Sequence, residues 1–64
     1  MILRFKTKRN ANGWRRYLAI NTDNKTFTTE SPHIFMDGEE ISTAALRNIR
    51  AAAESDGYTE TEAF

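Results

Sequence analysis

Apolar and polar residues alternate from the second position of the chain onward. In ILRFKTK, Leu3, Phe5 and Thr7 fall on one side and Arg4, Lys6 and Lys8 on the other. WRRYLAINT continues the period, with Leu18 and Ile20 on one face and Arg15, Tyr17 and Ala19 opposite. KTFTTE sets Phe27 and Thr29 against Thr26, Thr28 and Glu30. Period-two alternation bounded by Asn, Gly and Asp marks half-buried strands, and it predicts them over 2–9, 14–22 and 25–30.

The turns test the register. Asn12-Gly13 suits a two-residue type I′ turn, whose central positions both need positive φ, and this sets Phe5 opposite Ile20. Asp23-Asn24 as the second turn sets Ile20 opposite Phe27. The expected core row is then Phe5–Ile20–Phe27, flanked by Thr7–Leu18–Thr29. A four-residue first loop, Asn10 to Gly13, would pair Phe5 with Leu18 and keep the same faces. A three-residue loop would turn one strand over, and is rejected on that ground.

Beyond the meander the pattern changes. Pro32 interrupts regular pairing, Ile34–Met36 is a short apolar run, and Asp37-Gly38 reads as a turn joining it to Glu40–Ile41 as a second edge segment. From residue 43 to 56 the period becomes helical. Ser42 is the N-cap, Ile41 and Leu46 have the spacing of a hydrophobic staple, and Gly57 followed by Tyr58 supplies the C-terminal stop. Leu46, Ile49 and Ala53 form the inward stripe, flanked by Ala45 and Ala52, with Arg47, Asn48, Arg50, Glu54 and Ser55 toward water. The expected architecture is α+β: a three-stranded antiparallel meander, with room for a short fourth edge strand, packed on one face by a single C-terminal helix. Residues 1–58 would form one small domain, and 59–64 a frayed acidic tail.

Composition limits what such a domain does. At 64 residues it buries only about 60% of its unfolded surface, and roughly 3–10 kcal/mol of stability is expected. With no cysteine and one histidine, disulfides and thiolate or Cys2His2 zinc sites are excluded. No apolar run nears the ~20 residues that span a bilayer, and MILRFKTKR has no signal-peptide core. The expected location is cytoplasmic, without a membrane partner. The chain starts at Met1 without an evident tag, as a complete small open reading frame does.

Net charge is zero, yet its distribution is lopsided. Residues 1–25 hold seven Lys and Arg against Asp23 alone, and residues 26–64 hold Arg47 and Arg50 against eight acids. Enzyme signatures are missing: His33 stands alone in a connecting segment, and no nucleophile elbow, P-loop or dinucleotide fingerprint occurs. Asp37, Glu39 and Glu40 lack the ligand spacing of a calcium loop. A sheet with one helix also leaves little room for a pocket, so no catalysis, cofactor or small-molecule ligand is expected.

What stands out is the meander's second face, where Arg4, Lys6, Lys8, Arg15 and Tyr17 share one plane, with Arg9, Arg16 and Trp14 near the turn. Such a surface can neutralise phosphates of DNA or RNA, with Tyr17 or Trp14 stacking on a base. The same residues also solvate the wet side of any antiparallel sheet. Trp14, beyond the helix footprint, either packs on Ala11 or Arg16 or, with Arg16, anchors a protein partner or second copy. An edge strand offers another route to such association.

The order of elements over residues 2–57, with KRNANGWRRYLAINTDNKTF as the basic meander, resembles the arm-type DNA-binding domain of tyrosine-recombinase integrases. It is also similar to the plant AP2-type module, which reads the major groove with its sheet. The resemblance implies Arg4, Lys6, Arg15 and Tyr17 as contacts, by position on the face. The chain also looks like the small open reading frames of bacterial phages and integrative elements, which implies provenance and not activity.

Overall fold

A computed structural model describes residues 1–29 and 38–62. It is α+β, with strands β1 (Ile2–Thr7), β2 (Tyr17–Asn21), β3 (Thr26–Thr28) and β4 (Glu39–Ile41), helix α1 (Thr43–Ser55), and strand β5 (Thr59–Glu60). Among the described residues the sheet has five strands, in the order β4-β1-β2-β3-β5. The three central strands are the expected antiparallel meander. Of the two outer ones, β4 is the short edge segment expected at Glu40–Ile41 and β5 is an addition, and each runs parallel to its neighbour. The helix connects one sheet edge to the other. Its 13 residues give a rod of about 20 Å, close to the ~19 Å that four inter-strand steps span.

The second turn behaves as its sequence suggests, with Ile20 opposite Phe27. Asn21 Oδ1 accepts the N–H groups of Asp23 (3.0 Å) and Asn24 (3.3 Å), and Lys25 takes φ +54° to re-enter the sheet. The first turn differs from the type I′ expectation. Gly13 N–H donates to Asn10 C=O (3.0 Å) and Asn10 N–H donates to Trp14 C=O (2.8 Å). This is a three-residue loop, and only Gly13 needs positive φ, at +80°.

The objection to that loop was its reversal of one strand, and the chain answers it with an extra residue. Thr7 N–H donates to Arg16 C=O (3.0 Å), while Arg16 N–H donates to Thr7 Oγ1 (2.9 Å) rather than to a backbone carbonyl. Between these two closures, Lys8 and Arg9 face Arg15 alone. The bulge cancels the flip, and Phe5 lands opposite Leu18 with Leu3 opposite Ile20. The row Phe5–Ile20–Phe27 is therefore corrected to Leu3–Ile20–Phe27, with every residue still on its expected face.

The helix ends follow local chemistry. Ser42 Oγ accepts from Ala45 N–H at 3.1 Å. At the other end Gly57, at φ +88°, donates to Glu54 C=O (3.1 Å) and Tyr58 N–H donates to Ala53 C=O (3.0 Å), the bond pair of a Schellman stop. Leu46 and Ala53 pack with Leu18, Ile20 and Phe27, and Phe5, Ile41, Ile49 and Tyr58 close the rim. Arg50, expected in water, is half-buried. Its guanidinium lies 5.7 Å from the Phe27 ring centroid and pairs with Glu54 and Glu60.

Two further expectations change. Residues 59–62 are tied down: Thr59 N–H donates to Lys25 C=O (3.1 Å) and Thr61 N–H to Phe27 C=O (2.8 Å). A strand edge offers unpaired backbone groups, and the chain following Tyr58 satisfies them. The sheet face away from α1 is also not simply wet, because Ala19 and Thr28 on it are completely buried, with Thr28 Oγ1 donating to Glu62 C=O at 2.9 Å. The expected segment at Ile34–Met36, His33, Asp37 and Phe64 lie outside the described residues.

Candidate functional site

Position on the meander separates the cations into two groups. Those along the sheet are largely engaged. Lys6 sits in register between Tyr17 of β2 and Glu40 of β4, and both Lys6 and Tyr17 are half-buried with partners of their own. Arg15 reaches across β1, placing Nη2 3.6 Å from Glu40 Oε2 with its side chain only 17% exposed; its Nε–H is buried without an acceptor. Arg4, opposite Ala19, is the exposed cation of β1 on this face. The edge strand β4 thus puts a carboxylate where the sequence suggested an open basic plane.

Those at the hairpin tip are not engaged in this way. Lys8, Arg9 and Arg16 are exposed, and among the described residues none of the three makes an ion pair. Arg9 Nη1 donates to Gly13 C=O at 2.8 Å, which lays that side chain along the loop. Trp14 stands among them with 73% of its surface exposed, so it packs on neither Ala11 nor Arg16 to any large extent. Its backbone, by contrast, is held on both sides. Trp14 N–H donates to Asn10 Oδ1 (3.0 Å) and its C=O accepts from Asn10 N–H (2.8 Å). A fixed backbone carrying an exposed indole loses little freedom when a ligand covers the ring.

Two open, shallow clefts border this residue. One, of about 330 Å3, is lined by Thr7, Lys8, Asn10, Trp14, Arg15, Arg16 and Thr43. The other, of about 640 Å3, is lined by Arg9, Asn12, Gly13, Trp14, Arg15 and Tyr17. The first exists because β4 pairs with the end of β1, with Thr7 opposite Ile41. That pairing delivers the start of α1 beside Lys8. Thr43 could not be recognised as a site residue from sequence, since nothing local ties residue 43 to residue 8. Asn10, read only as loop, is the residue that presents Trp14.

The arrangement supplies positive charge, hydrogen-bond donors and one aromatic face. Among the described residues no group of three His, Cys, Asp or Glu side chains could hold a metal ion, and no helix is long and apolar enough to cross a membrane. Comparison of the chain with protein-family models, curated proteins and solved structures returns no match.

Proposed function

We propose that this chain is a small non-enzymatic binding module that holds nucleic acid at its basic hairpin tip. The observation that carries the reading is the cluster of Lys8, Arg9 and Arg16, cations without ion pairs among the described residues, around an exposed Trp14 on a pinned backbone. Arg4 lies farther along β1 and adds to the field. Lys6, Arg15 and Tyr17, expected as direct contacts, act in this reading as the support beneath the tip. The reading goes with a cytoplasmic location and needs no cofactor.

A salt titration tests it. Three neutralised phosphates give a log–log slope of affinity on salt of about −2 for a single strand and nearer −3 for a duplex. Lys8→Ala/Arg9→Ala/Arg16→Ala should abolish binding while leaving the fold intact, because all three side chains are exposed. Undetectable binding to both DNA and RNA at 50 mM salt sinks the proposal.

A protein-interaction role has one observation of its own. Met1, Ile2 and Leu3 are 71%, 38% and 39% exposed, an apolar group at the far end of β1 from Trp14. If this patch or Trp14 recruits a second copy or another protein, the apparent mass rises with concentration in light scattering, and Leu3→Glu or Trp14→Ala reverses the rise. A mass independent of concentration removes the self-association form of this reading.

A further inference from the structure

Resting on the nucleic-acid reading, we propose that the occupant is a single strand. One unpaired base stacks on Trp14, and the adjoining phosphate sits in the cleft between the hairpin and the start of α1. Three observations converge on this.

The sheet face is a poor match to a duplex groove. Ala19 and Thr28 on it are completely buried, Lys6 and Tyr17 have partners, and Arg15 is drawn to Glu40. Among the described residues, that leaves Arg4 on the face and the cluster at the tip. A tip with one protruding indole offers a duplex few contacts, because paired bases keep their faces inside the stack. An unpaired base has a free π-face, and stacking on an aromatic side chain is its usual mode of capture.

Both clefts are lined by the same residue. Trp14 lines the one bounded by Lys8, Arg16 and Thr43 and also the one bounded by Arg9, Asn12 and Tyr17. A strand crossing the indole places its flanking phosphates near Lys8 and Arg16 on one side and Arg9 on the other. Charge and aromatic contact therefore alternate along one path, as a polyanion with a base at every sugar requires. Thr43 adds a hydroxyl, and α1 has no acidic residue in its first turn to oppose an anion. The seat itself rests on the two cationic side chains.

The sole tryptophan is its own probe. Labelled dT8 and rU8, and a 12-base-pair duplex, are titrated at 50 mM salt by fluorescence polarisation, and indole emission is followed with unlabelled strands. The single strands should bind at least tenfold more tightly than the duplex and quench Trp14. Trp14→Ala should weaken single-strand binding by about 5- to 140-fold, the equivalent of the 1–3 kcal/mol of one stacked base. Trp14→Phe should recover part of it. Lys8→Ala/Arg16→Ala should flatten the salt slope by about 1.4. Equal or tighter duplex binding, unmoved indole emission, or an unaffected Trp14→Ala overturns the single-strand inference and leaves the nucleic-acid reading standing. No binding to any of the three ligands overturns both. Circular dichroism of the variants confirms that losses are not unfolding, which the exposure of all these side chains leads one to expect.

Discussion

Asn10→Ala isolates what holds Trp14 in place. The substitution removes a single oxygen that accepts two backbone N–H groups, from Asn12 at 2.9 Å and Trp14 at 3.0 Å. Each such bond contributes a net ~0.5–1.5 kcal/mol. Both are solvent-exposed, so water takes over the orphaned donors and the low end applies to each. The expected loss is about 1 kcal/mol, or roughly 4–8 °C in Tm for a domain of this size. Asn10→Asp keeps an oxygen in the same place, and Asp supports the same side-chain turn, so it should stay within about 0.5 kcal/mol of the parent. Urea unfolding followed by circular dichroism gives the global number. Hydrogen exchange at the Trp14 amide gives the local one, with protection in Asn10→Ala falling about fivefold per kcal/mol. If Asn10→Ala matches the parent by both measures, or Asn10→Asp loses as much as Asn10→Ala, the side chain does not organise the loop and the account of Trp14 presentation fails. In the binding assay Asn10→Ala should weaken single-strand affinity, by less than Trp14→Ala does.

Other consequences of the fold are open to simple measurement. Leu46, 3% exposed, carries α1 onto the sheet, so Leu46→Ala should cost about 2–5 kcal/mol, a large share of the expected stability; unfolding free energy unchanged to within 1 kcal/mol would contradict the packing. Ser42→Ala removes the cap bond to Ala45 and should cost about 1 kcal/mol, read as a lower urea midpoint at constant slope. Lys25 sits at φ +54°, where a β-branched residue is strained, so Lys25→Val should destabilise by roughly 1–2 kcal/mol and Lys25→Gly should be no worse than the parent. Equal stability of Lys25→Val and Lys25→Gly would show that this backbone conformation is not maintained in solution.

Several features were legible because they are decided within a few residues. Face assignment is one, since the side-chain period of a strand is two and Leu3, Phe5, Leu18, Ile20 and Phe27 all obey it. The helix is another. Ser42, Leu46 and Gly57 carry its start, its inward face and its stop, and the expected span of 43–56 differs from Thr43–Ser55 only at the terminal residue. The second hairpin register followed from turn chemistry alone. The first did not, because Asn12-Gly13 competes with Asn10. The Asn10 side chain closes a loop in which only glycine needs positive φ, and a bulge at Lys8 and Arg9 then restores the faces. Two local options gave the same sidedness, and the cheaper backbone won.

The candidate site was half legible in the same sense. The concentration of Lys and Arg before residue 26, and the position of Trp14 at a hairpin tip, could be read directly. Which cations would remain available could not. Arg15 lost its independence to Glu40, and Glu40 is beside it only because β4 joins the β1 edge.

By itself, then, the sequence determined the meander, its two faces, the helix and the uneven charge, all of which rest on alternation, capping and turns. Only the tertiary structure decided the two parallel edges. Glu39–Ile41 was legible as a short edge segment, but neither its partner strand nor its direction was, and Thr59–Glu60 is too short and too acidic to show a strand. They form because β1 and β3 present unpaired backbone groups, and a helix of about the sheet's width carries the chain from one edge to the other. That placement, made through backbone bonds and not side-chain pattern, sets Glu40 against Arg15 and Glu60 against Arg50 and, among the described residues, leaves the cations at the hairpin tip around Trp14 without ion pairs.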